Sequence, residues 1–149
     1  EVLSKGDDFS SVFDNPALGY IKANNLYEEG VDIIFTAAGG SGKGVIRSAV
    51  KNNKFVIGVD ADQDHLAKGT ILTSVMKRLD VTTHEAVVMA LEGRFSPGTH
   101  VFGLKESGVS LTPMTHTSAI ISKELFQELA DLKMKIIEGE ITVSPNSQP

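Results

Sequence analysis

The stretch GVDIIFTAAGGSGKGV, residues 30–45, decides the fold. Within it Val31–Phe35 is short, apolar and rich in branched side chains, the pattern of a buried parallel strand. Gly30, just ahead, is suited to stop a helix in the left-handed conformation. The glycine-rich turn Gly39–Gly44 then leads into a helical stretch from Val45 to about Lys51. Strand, turn and helix in quick succession are the unit from which α/β sheets are wound.

Upstream, Asn15-Pro16 pairs a capping side chain with a proline at the first helical position, which predicts a helix reaching to about Glu29. Downstream, Phe55–Val59 (FVIGV) reads as a second buried strand and Thr70–Val75 as a further apolar run. Thr82 and Glu85 have capping-box spacing ahead of Ala86–Leu91, and Gly93 stands where a helix terminator would. His100–Leu104 and Val109–Leu111 are further strand candidates. From Ser122, the residues Leu125, Phe126, Leu129, Leu132, Ile136 and Ile137 form one apolar stripe on a long helix ended by Gly139. The tail Ser144–Pro149 is expected to fray. The alternation predicts an open, Rossmann-like parallel sheet covered by helices on both faces, in one α/β domain spanning residues 1–149.

Composition narrows the partners. With 41% hydrophobic residues in 149, the chain is long enough to bury one substantial core. A net charge of -5, from 14 basic and 19 acidic residues without a Lys/Arg cluster, leaves no electrostatic footprint for nucleic acid or an anionic membrane. A small neutral ligand fits better. The absence of cysteine excludes a disulfide framework and thiolate-ligated metal. No apolar run approaches the roughly 18 residues of a spanning helix. The opening Glu1-Val2-Leu3 shows no basic and apolar leader pattern.

In open α/β sheets ligands bind beyond the carboxyl ends of the strands, so the segments after VDIIF, FVIGV and HVFGL carry the expectation of a site. These are Thr36–Gly44, Asp60–Gln63 and Lys105–Gly108. Gly39–Gly44 invites a phosphate-loop reading, but Ala37 stands where that loop needs its first glycine and Gly44 where it needs Ser or Thr. The dinucleotide pattern fails as well, since Val45 occupies the place of its third glycine. The glycines therefore let backbone pass close to a ligand or to the next strand. Asp60, Asp62 and Asp64 have the spacing that opens a calcium loop, yet His65 and Ile71 replace its glycine and bidentate glutamate. Asp60 can instead accept two hydrogen bonds from a sugar diol, or be a solvated turn carboxylate or helix cap; Asp62 and Asp64 fit the turn or cap reading. Lys105 is either a sugar-hydroxyl donor or a surface group, and Phe13 a base-stacking platform or a core aromatic ahead of the first helix. The four histidines show no metal-ligand spacing, and no acid, base and nucleophile set is evident, so neither a metal nor a cofactor nor catalysis is expected.

Four linked segments carry a resemblance. FDNPALG (13–19), GVDIIFTAAGGSGKGV (30–45), IGVDADQ (57–63) and GLKESGV (103–109), with IEGEI (137–141) near the end, together resemble the basic membrane protein family. That family comprises lipoproteins of the periplasmic-binding-protein superfamily that feed ABC importers. The resemblance implies the carboxy-terminal lobe of a type I binding protein that closes two α/β lobes on a nucleoside and presents it to a permease. By matching positions, Phe13 would stack on the base, Gly39 and Gly40 would line the cleft with backbone, and Asp60 with Lys105 would hold the ribose hydroxyls. One departure is Asn15, where the family has aspartate; both residues cap helices. The other is length. Family members carry an amino-terminal lobe and a lipidated cysteine ahead of this sequence, which implies attachment at the cell surface or in the periplasm through that part. Half a cleft is not expected to bind tightly. The competing classes are a binding protein for another heterocyclic or sugar-like ligand, and a ligand-sensing regulatory domain of the same fold.

Overall fold

The computed structural model describes residues 12–143. The tail expected to fray lies outside them. The chain divides into two compact units, Glu1–Met76 with Leu111–Thr117, and Lys77–Ser110 with Ser118–Pro149.

In the first unit, Asn15 caps helix α1 (Pro16–Glu28) as its sequence predicts, its Oδ1 accepting the Leu18 N–H at 3.0 Å. Asn15→Ala is expected to cost about 1 kcal/mol, seen as a lower urea midpoint at unchanged slope. The helix ends at Gly30, in the left-handed region at φ 99°. Strand β1 (Ile33–Phe35) follows, then a 3-10 turn over Gly39–Ser41 and helix α2 (Gly42–Asn52), closed by left-handed Asn53. Strand β2 (Phe55–Asp60), a 3-10 turn over Asp64–Leu66 and strand β3 (Ile71–Lys77) complete the winding.

β1 pairs with β2 and β2 with β3 in parallel, with Ile34 opposite Val56 and Gly58 opposite Ser74. Ala23 and Tyr27 of α1, Val45, Ile46 and Ala49 of α2, Val56 of β2 and Ile71 of β3 form the core, with Ile34 at its margin. Strand side chains alternate between faces, so Ile33 and Phe35 point away from this core. They are 46% and 56% exposed. Among the described residues β1 is therefore covered on one face, where the apolar run predicts cover on both.

The two helices touch through glycine. A Cβ placed on Gly44 would lie 1.9 Å from the Pro16 carbonyl oxygen and 2.6 Å from the Tyr20 nitrogen, both backbone atoms that cannot rotate aside. The core also holds a hydroxyl: Tyr27 donates to the Phe55 carbonyl at 2.9 Å, and burial pushes its pKa up to about 12. Because the folded value lies above the unfolded one near 10, this contribution is intact below pH 10 and is lost as the pH rises to about 12. Urea unfolding across that window is expected to show a loss of about 2 kcal/mol that Tyr27→Phe does not share.

Strand β4 (Val109–Leu111) completes the sheet order β1-β2-β3-β4. Its flanks are bonded by Thr112 N–H to Ser74 O at 3.0 Å and Arg78 N–H to Gly108 O at 2.9 Å. As one partner number rises the other falls, so β4 runs antiparallel to β3 and the sheet is mixed, a correction to the all-parallel expectation.

The second unit contains helix α3 (Leu79–Leu91) and helix α4 (Lys123–Glu138). Ser122 caps α4, accepting the Leu125 N–H at 3.2 Å, and left-handed Gly139 ends it as predicted. The capping box at Thr82 does not form. α3 begins a turn earlier, after Arg78, and the Thr82 hydroxyl donates to the Leu79 carbonyl at 3.3 Å. Arg78 grips Asp80 with two nitrogens and holds its carboxyl down to about 2. His100–Leu104 is not a strand. The chain turns back on itself, with Gly108 N–H donating to Gly103 O at 2.9 Å and Gly103 N–H to Glu106 Oε2 at 2.9 Å.

Candidate functional site

The carboxyl ends of β1 and β2 carry the unusual chemistry of the first unit. Beyond β1, the Thr36 hydroxyl and N–H both donate to the Ile57 carbonyl, at 3.2 and 3.0 Å, which fixes the point where the strand gives way to the glycine turn. Ser41 is buried at the end of that turn. Its hydroxyl donates to the Val12 carbonyl and accepts the Asn15 N–H at 2.8 Å, clamping the turn to the segment that bears Phe13.

Phe13 itself is half-buried and helical, where the sequence suggests a loop. A Cβ on Gly39 would lie 2.8 Å from the Phe13 carbonyl oxygen and 3.4 Å from its ring, and one on Gly40 would lie 2.4 Å from Asp14 Oδ1. Three sequence-predicted residues, Phe13, Gly39 and Gly40, thus meet at one strand end. The glycines let backbone pass beside the segment that bears Phe13 and Asp14, where the sequence suggests close approach to a ligand or to the next strand. Phe13, Ala37, Ala38 and Ser41 also line one end of a cavity of about 660 Å3 that follows α1 and β1.

Asp60 ends β2 at φ 70°, in the left-handed region that residues other than glycine, asparagine and aspartate seldom enter. The Ala61 N–H donates to the Val59 carbonyl at 2.8 Å, closing a three-residue turn with Asp60 at its centre. With positive φ this is the rarer, strained form of the γ-turn. Such strain persists only where the surroundings over-determine it, and it clusters at ligand sites. The side chain is exposed, so the carboxylate can accept hydrogen bonds from a bound molecule.

Asp64, expected to be a solvated turn carboxylate or a helix cap, is only 5% exposed and accepts the Ser74 hydroxyl at 2.7 Å. Asp62 fits its expected role as a turn carboxylate, accepting the Asp64 N–H at 3.0 Å. Neither belongs to a metal cluster; among the described residues no group of three or more His, Asp or Glu could hold an ion. Lys105 is exposed in the turn that replaces the predicted strand, and it belongs to the second unit whereas Asp60 belongs to the first. An open depression of about 580 Å3 on α4, lined by alternating charges such as Lys123, Glu124 and Asp131, gathers no convergent chemistry. Sequence reasoning missed the Ser41 clamp and the partners of Asp64. Gly58, inside a strand, was the available signal, because glycine there marks a close approach.

The model of the PnrA-like ABC transporter substrate-binding proteins matches residues 9–147. The chain belongs to this Bmp family. Among its Bmp relatives, basic membrane protein D of Borreliella burgdorferi is 35% identical over 139 residues, covering 91% of this chain and 40% of that protein. The ABC transporter nucleoside-binding protein BmpA of Lactococcus lactis is 31% identical, over 91% of this chain and 42% of its own length. The fold agrees with a crystal structure of an ABC transporter solute-binding protein from Aeropyrum pernix, with a TM-score of 0.74 and 29% identity over 92% of this chain and 46% of that one. The chain thus spans about two fifths of the length of these Bmp relatives. No described helix is long and apolar enough to cross a membrane.

Proposed function

We propose that the chain is the carboxy-terminal part of a two-lobed Bmp protein that binds a nucleoside, a purine nucleoside foremost, and delivers it to an ABC permease. The observation that carries this reading is the Asp60 turn, a carboxylate held in a strained conformation at the carboxyl end of an inner strand. In this reading Asp60 accepts from the ribose hydroxyls, Phe13 stacks on the base, and the backbone of Gly39 and Gly40 lines the cleft; Lys105, in the second unit, is proposed separately as a donor to a ligand hydroxyl. The printed name of the Lactococcus relative, a nucleoside-binding protein, supports the ligand class. The rest of a family-length polypeptide supplies the opposite wall and the lipid anchor that holds the protein outside the cytoplasmic membrane. Affinity arises from stacking and hydrogen bonds in a dehydrated cleft, and the chain contributes no chemistry to the ligand.

Native mass spectrometry of the family-length protein tests the reading. A bound mass equal to one nucleoside, or uptake of adenosine, guanosine or inosine when each is added, is expected. Retention of a different ligand class, with no uptake of these three, overturns it. Phe13→Ala is expected to weaken nucleoside binding by about 1–3 kcal/mol, the worth of one stacked base, read by calorimetry. Unchanged affinity together with loss of folding would instead make Phe13 a core residue.

A further inference from the structure

Behind Asp60 lies a buried polar network. Gln63 reaches back along β2, its Oε1 accepting the Val59 N–H at 3.3 Å, while its own N–H donates to Ser74 Oγ at 3.1 Å. The Ser74 hydroxyl donates to Asp64 Oδ1 at 2.7 Å, and Thr112 Oγ1 accepts the Ser74 N–H at 2.9 Å. Thr112 is joined in turn to Thr73 Oγ1 at 2.9 Å. Ser74 is fully buried, and Thr73 and Thr112 nearly so. A Cβ on Gly58 would come within 2.7 Å of both Gln63 Oε1 and Ser74 Oγ, so the glycine opens the space in which this network assembles.

The network grips both sides of the strained turn. Val59, whose carbonyl closes the turn around Asp60, is held through its N–H by Gln63. The chain leaving the turn is anchored three and four residues later, at Gln63 and Asp64, to the single hydroxyl of Ser74. A left-handed aspartate between two anchored points has no freedom to relax. We propose that Gln63, Asp64 and Ser74, backed by Thr112, are positioning residues that hold the Asp60 turn in its ligand-facing conformation. Their consequence for binding rests on the reading of Asp60 as a ribose ligand. Their consequence for the turn does not.

The test uses the family-length protein with Ser74→Ala, which removes the shared hydroxyl, and Gln63→Glu, which keeps an oxygen for the Val59 N–H. Adenosine and inosine are titrated alongside their 2′,3′-dideoxy forms, and exchange of the Ala61 amide is followed by NMR. Ser74→Ala is expected to speed Ala61 exchange and to reduce the preference for ribose over dideoxyribose about tenfold, the scale of one hydrogen bond. Gln63→Glu is expected to retain both properties. In the Asp60→Ala background Ser74→Ala is expected to add nothing to the loss of preference, because the two act as a unit. Unchanged Ala61 exchange in Ser74→Ala overturns the proposal, as does an equal loss of affinity for ribosyl and dideoxyribosyl ligands. If Asp60→Ala leaves the ribose preference intact, the ribose reading fails instead, and Ala61 exchange alone decides whether the network positions the turn.

Discussion

Gly44→Ala is expected to destabilise the protein by about 3 kcal/mol or more, enough to unfold much of a marginally stable domain. Helix propensity points the other way. Gly44 lies inside α2, and alanine there gains about 1 kcal/mol over glycine from propensity alone. The sign is decided by space. The new methyl would sit 1.9 Å from the Pro16 carbonyl oxygen and 2.6 Å from the Tyr20 nitrogen, so α1 and α2 must move apart. Moving them opens the core in which Ala23 and Tyr27 meet Val45, Ile46 and Ala49. Gly42, two residues earlier in the same helix, provides the control, since its nearest neighbour to a Cβ is Thr36 Oγ1 at 3.8 Å, an ordinary contact. Urea unfolding should find Gly42→Ala neutral or slightly stabilised and Gly44→Ala severely weakened. Equal stability of the two variants would show that the helices do not approach as closely as described.

Asp60→Ala is expected to weaken nucleoside binding at least about a hundredfold while leaving the melting temperature within a few degrees of wild type. A carboxylate that accepts two hydroxyl hydrogen bonds in a dehydrated cleft contributes about 3 kcal/mol or more, which corresponds to that factor. The stability cost is small by comparison. Asp60 is exposed at the end of its strand, and its replacement opens no cavity. Asp60→Asn separates charge from shape, because asparagine tolerates the same left-handed backbone. It is expected to keep the turn and to lose most of the affinity, as a carboxamide offers one accepting oxygen and no charge. Calorimetric titration beside thermal melts checks both variants. Wild-type affinity in Asp60→Ala would remove Asp60 from the site.

Much of the fold was legible because it is encoded locally. Asn15-Pro16, Gly30 and Gly139 each act on neighbours within four residues, and each cap or terminator forms where its residue type predicts. β1 and β2 were legible as strands from branched apolar runs, and β3 lies over the further apolar run Thr70–Val75. Strand direction was not, since nothing in the composition of Val109–Leu111 distinguishes an antiparallel partner of β3 from a parallel one. The Thr82 capping box failed because the spacing recurs by chance inside a helix that starts at Leu79. His100–Leu104 has strand-like composition, yet its glycine at 103 pairs with Gly108 and folds the segment into a turn.

The site was legible in outline and not in mechanism. That Asp60 follows a buried strand could be read from the sequence, but its left-handed backbone could not, because glycine is the usual sign of that conformation. The meeting of Phe13 with Gly39 depends on Ser41 reaching Val12 across 29 residues of chain. The partners of Asp64 lie 10 residues away at Ser74, and the support of Ser74 lies 38 away at Thr112. Hydroxyls at such separations have no periodicity to reveal them.

Calorimetric titration of the family-length protein with adenosine, guanosine and inosine, each beside its 2′,3′-dideoxy form, shows whether a nucleoside is held by its ribose at the end of β2. Saturable one-to-one binding of at least one ribonucleoside is expected, with its dideoxy form weaker by about a hundredfold, the worth of the two lost hydroxyl contacts. Equal affinity for the two forms, or no binding of any of the three, would contradict that placement.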